Sequence, residues 1–68
     1  MTYEEMIAWV RVHGQTIEEQ AAAGDAGARH VSYRFTELLM DPHSVRAQQR
    51  LIGAIVEYEW NRSREEQK

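Results

Sequence analysis

Residues 51–60 constrain this chain most, because they are too apolar for a helix that packs on one side only. At about 100° of turn per residue, Ala47, Leu51, Ile52, Ala54, Ile55, Val56 and Tyr58 fan over an arc of about 200°. An ordinary surface helix buries a stripe little wider than ~100°. Trp60 falls outside even that arc, near the line of Arg46, Arg50, Glu57 and Arg64. The excess apolar surface needs a cover, and a second protein chain is the expected one.

Size sharpens that expectation. A chain of 68 residues allows one domain, and a chain near that size buries only ~60% of the surface its unfolded state exposes. Small domains compensate with disulfides, a bound metal or oligomerisation. There is no cysteine, which removes disulfides and thiolate metal sites and is compatible with a reducing cytoplasm. Self-association or very good helix packing remains. Eight basic residues against eleven acidic ones give a net charge of -3. Phosphate binding wants a basic surface, so the balance disfavours nucleic acid. The longest apolar run, residues 51–56, falls far short of the ~20 residues a membrane span needs. Glu4 and Glu5 stand where the basic start of a signal peptide would be.

The periodicity predicts three helices over about 3–23, 26–40 and 42–64, in a single domain covering 1–68. The first opens at Thr2, with Glu5 three residues on, as in a capping box. Its seam is Tyr3, Ile7, Val10, Gly14, Ile17 and Ala21, in steps of four and three. Gly24 suits the left-handed residue that closes it, and Asp25 suits the cap of the second helix. That helix is expected to bury Ala28, Val31, Phe35, Leu38 and Leu39. Asp41 and Pro42 punctuate next, with Asp41 read as the N-cap and Pro42 as the first residue of the third helix. Beyond Arg64 the polar end is expected to fray. No alternating strand pattern competes. The fold class is therefore all-α: a three-helix bundle or helical hairpin with short turns, expected to dimerise.

Few residues point to chemistry. His13, His30 and His43 are far apart and lack the close pairing of helical zinc ligands, and Ser32, Ser44 and Ser63 stand in no nucleophile motif. Neither a metal nor a cofactor is expected, and no catalytic residue is assigned. A small metal protein or enzyme using His30, His43 and Glu59 is the weakest alternative. Glu59 and Gln48 fall in the middle of the apolar arc, where a buried carboxylate would need a partner. Gly14 on the first seam suggests close approach of another backbone, since glycine inside a helix costs about 1 kcal/mol relative to alanine. On that reading Gly14→Leu is disruptive.

The expected interface is Leu51, Ile52, Ile55, Val56 and Trp60, with Gly14 as a second contact. Trp9 is expected at the core or its edge. The partners are a second copy of the chain and a partner protein whose activity the chain inhibits or adapts. A dimeric DNA-binding regulator that places Arg46 and Arg50 on phosphates is the alternative. A helix-turn-helix over residues 17–33 fails at Gln20 and His30, and Glu18, Glu19 and Asp25 would repel DNA. Over its whole length the layout resembles that of short helical accessory proteins of phages and mobile elements. That resemblance is architectural and transfers no site.

Overall fold

Local signals at the first two helix ends set the frame. The computed structural model describes residues 1–66, and its elements are α1 (Tyr3–Ala22), α2 (Ala26–Met40) and α3 (Val45–Glu66). The chain is all-α, with no strand among the described residues. At the start of α1 the Thr2 hydroxyl accepts from the Glu5 N–H at 3.2 Å, and the Glu5 carboxylate accepts from the Thr2 N–H at 3.1 Å. Two orphan donors are thus satisfied reciprocally. At its end Gly24 takes φ 97°. Gly24 N–H donates to Ala21 at 3.1 Å and Asp25 N–H to Gln20 at 3.0 Å, the paired bonds of a Schellman ending. Asp25 then accepts from the Ala28 N–H at 2.9 Å through Oδ1. One residue therefore closes α1 and opens α2.

The start of α3 differs from the sequence reading. Asp41 does not cap it. Asp41 ends α2, donating its N–H to Glu37 and Leu38. Residues 41–44 form a turn closed by Ser44 N–H to the Asp41 carbonyl at 3.1 Å. Pro42 occupies the second place of that turn, which its fixed φ also suits. Ser44 is the cap: its Oγ accepts from the Ala47 N–H at 3.1 Å. At the other end α3 continues past Arg64 to Glu66; Gln67 and Lys68, placed in the fraying end, lie outside the described residues.

Short turns alternate the helix directions, so α1 and α3 run the same way with α2 opposed. Packing is close between α2 and each neighbour, while α1 and α3 meet over a short stretch only. The core gathers Met6 and Ile17 from α1, Ala28, Val31 and Leu38 from α2, and Ala47, Leu51, Ala54 and Ile55 from α3. Two expectations fail here. Leu39 is 63% exposed, because Leu38, about 100° away on the same turn, takes the inward direction. Met6, absent from the α1 seam as read, is fully buried, whereas Tyr3 at the head of that seam is exposed. Met6 and Ile17 lie eleven positions apart, about three turns, so they share one line on the helix.

Candidate functional site

The broad apolar arc of α3 divides into two faces. Leu51 and Ile55 are fully enclosed, with Ala47 and Ala54 beside them and Tyr58 packed on the same cluster. They belong to the chain's own core, so Leu51 and Ile55 leave the expected contact surface. Ile52 is half-buried, Val56 is 52% exposed and Trp60 64% exposed. Val45, exposed at the first turn, joins them. The steps from Val45 to Ile52, Val56 and Trp60 are seven, four and four positions, which keeps all four within about 80° of each other and spreads them over roughly 22 Å of helix. Sequence reasoning missed Val45, although its spacing of seven from Ile52 was a usable signal.

Within this outer stripe Gln49 fills the gap between Val45 and Ile52. Gly53 lies at its edge, and a Cβ built there would meet nothing within 4 Å. Ile52 touches the core cluster from outside, so the stripe is anchored on one side and open on the other.

Gly14 is elsewhere, and no close packing within the chain accounts for it. A Cβ there would meet only Val10 Cγ1, at 3.9 Å. It borders a shallow dimple of about 170 Å³ between α1 and α2, walled by Trp9, Val10, Ile17, Val31 and Phe35. No second backbone of this chain stands within 4 Å of that Cβ position. The crowded glycine is Gly27, where a Cβ would stand 3.3 Å from Asp25 Oδ1 and 3.5 Å from Tyr58 Cδ2.

Tyr58 marks the junction of the three helices. Its hydroxyl donates to Gln20 of α1 and accepts from Arg62 Nη1 at 2.6 Å. Arg62 also lies over the Tyr58 ring at 5.7 Å, and Trp9 meets that ring edge-on at 6.1 Å. Trp9 is half-buried at the core's edge, with His13 4.5 Å from it. An open groove of about 450 Å³ runs past these rings, with Glu59 and Ser63 on its α3 side. Glu59 is thus an exposed rim residue, not a carboxylate trapped in the arc.

The two arginines of the DNA alternative stand one turn apart on α3. Arg50 Nη1 lies 3.5 Å from Glu37 Oε2, a carboxylate that Arg34 also holds. Arg46 is exposed a turn away. His13 and His30 sit on α1 and α2, and His43 in the turn before α3. Among the described residues no group of three His, Asp or Glu side chains could hold a metal ion, and no helix is long and apolar enough to cross a membrane. Glu5 has a lowered pKa, because the Thr2 backbone N–H and then its hydroxyl hydrogen-bond the carboxylate.

Comparison with known proteins finds no family model, no curated protein and no solved structure that matches this chain. Function is therefore read from the geometry.

Proposed function

We propose that this chain is a small non-enzymatic interaction module whose working surface is the outer face of α3. Covering that face with another protein chain is its biochemical act, and by it the chain inhibits or adapts a partner, as an accessory protein would. One observation carries the reading: Ile52, Val56 and Trp60 stand in line on a helix whose opposite face is already used by the core. Fully burying a valine- or isoleucine-sized side chain contributes about 1.5–3 kcal/mol. Tryptophan is among the residues that dominate binding energy when a partner encloses it. Contiguous exposed apolar surface of this kind marks interaction sites. Pairing of Arg50 with Glu37 and the net charge of -3 weigh against duplex DNA as the occupant.

The test is Val56→Glu. Its far-ultraviolet circular dichroism should match the parent, because Val56 lies outside the core. Its complexes, measured by light scattering on the purified chain and by pull-down with a tagged chain, should be lost. A variant that keeps both its mass and its partners overturns the proposal.

A further inference from the structure

A second surface lies apart from the outer face of α3: the dimple between α1 and α2. Its walls are mainly carbon, from Val10 and Ile17 of α1, Val31 of α2 and the rings of Trp9 and Phe35. Its volume, about 170 Å³, is near the ~150 Å³ of an apolar cavity that takes up one benzene ring. Aromatic walls favour an aromatic guest, because edge-on and offset ring pairs gain attraction beyond their buried area. The wider groove past Tyr58 differs in character: Thr16, Glu59, Arg62 and Ser63 line it, and Arg62 already lies over the Tyr58 ring.

Charge at the rim narrows the guest further. Glu18 of α1 and Ser32 of α2 border the dimple. The Ser32 hydroxyl donates to Glu18 Oε1 at 3.1 Å, which holds the carboxylate between the two helices. A carboxylate offers about four acceptor positions, and the hydroxyl takes one. Among the described residues no arginine or histidine pairs with Glu18. Arg29 of α2 gives its Nε–H to the Ala21 carbonyl instead, at 3.3 Å. An anionic guest is therefore repelled at this rim, and a neutral one leaves the carboxylate unused. A ring that carries an ammonium group satisfies both the carbon walls and the charge, and the Trp9 ring face also attracts a cation.

Gly14 adds a separate observation. Glycine inside a helix is unfavourable relative to alanine, and within the chain a Cβ at this position would meet only Val10 Cγ1, at an ordinary 3.9 Å. Packing inside the chain thus does not require glycine here. Side chains on a helix lean back over the preceding turn, so a larger residue at position 14 would lie across Val10, one wall of the dimple. A bare backbone there keeps the hollow open.

We propose that the dimple is a binding site for a small arylalkylamine, with one ring seated between Trp9 and Phe35 and a short chain bringing its ammonium to Glu18. The test is a titration of the full chain with 2-phenylethylamine, followed by the methyl resonances of Val10, Ile17 and Val31. These should shift and saturate, while those of Val56 on the outer face of α3 stay in place. The acid 3-phenylpropanoate, with the same ring and the opposite charge, should bind about fivefold more weakly, and ethylamine, which has no ring, should not shift the methyls. Equal binding of the amine and the acid overturns the proposal. So does a response confined to Val56, or one that appears on concentrating the protein alone and not with the amine, which gives the dimple to a second copy.

Two variants supply the second arm. Glu18→Gln keeps an acceptor for Ser32 and removes the charge, so binding of the amine should fall about threefold and the preference over the acid should vanish. Gly14→Leu should abolish binding of the amine with helicity at or above that of the parent by circular dichroism, since leucine is the better helix former. Retention of the amine by a folded Gly14→Leu chain moves the site elsewhere and overturns the assignment. Glu18 is exposed, so its variant decides the question even where Gly14→Leu loses helicity. A loss on Glu59→Gln with none on Glu18→Gln places the ring in the groove past Tyr58 and equally ends the proposal. None of these outcomes bears on the outer face of α3, which Val56→Glu tests by itself.

Discussion

The two faces of α3 have similar apolar content and opposite fates. The inner face alternates large with small, Leu51 and Ile55 with Ala47 and Ala54, and these alanines allow α2 to come close. The outer face carries Val45, Ile52, Val56 and Trp60 with no alanine among them, and meets solvent along most of its length. The difference teaches that the apolar area of a helix says how much cover it needs, while the size pattern says which side its own chain can cover. Close packing favours small residues facing large ones. An outer face of branched and aromatic residues suits a cover that arrives from outside.

Substitution can break or sharpen this contrast. The largest effect is expected from Leu51→Ala, which empties a fully buried site and should cost about 2–5 kcal/mol of stability in denaturant unfolding. A cost near zero would abolish the distinction between the faces. Tyr58→Phe, at the rim of the inner face, removes the hydroxyl that joins Gln20 to Arg62 and should cost about 1 kcal/mol. Val56→Ala on the outer face should move the stability of the isolated chain by no more than about 0.5 kcal/mol, measured at concentrations low enough to exclude association. A clear loss there would assign Val56 to the core.

The smallest effect lies away from both faces. Hydrogen bonds from Thr2 hold the Glu5 carboxyl below its ordinary value. Its contribution is therefore complete above the pKa of the unfolded chain and is lost as pH falls through the lower folded value. An acid titration of helicity should show this small loss in the parent and not in Glu5→Gln, whose amide caps without titrating. An identical titration in both chains would contradict it.

Much of the frame was legible in the sequence because it is local. Thr2 with Glu5, Gly24, and Asp25 each act on backbone groups within a few residues, and each does what its type suggests. Asp41 and Pro42 misled because the same pair serves a turn as well as a helix start. Ser44 resolves the choice by reaching the Ala47 N–H. The division of the α3 arc was not legible, since it depends on where α1 and α2 lie across the bundle. Met6 and Leu39 were misplaced for the same reason: a wheel ranks residues by angle, and the neighbour decides which angle is inward. The contrast between Gly14 and Gly27 was not legible either: within the chain a Cβ at Gly14 would meet only Val10 Cγ1, whereas one at Gly27 would crowd Asp25 Oδ1 and Tyr58 Cδ2.

The double duty of Asp25 has a consequence for where this chain tolerates added length. Its N–H finishes one helix and its carboxylate begins the next, so a peptide grafted at residues 23–25 would untie both ends together. Between Pro42 and His43 the two jobs fall to separate residues, Asp41 behind and Ser44 ahead. A flexible insert there should leave every helix terminus tied, which makes that corner the natural place to hang a reporter or a tether.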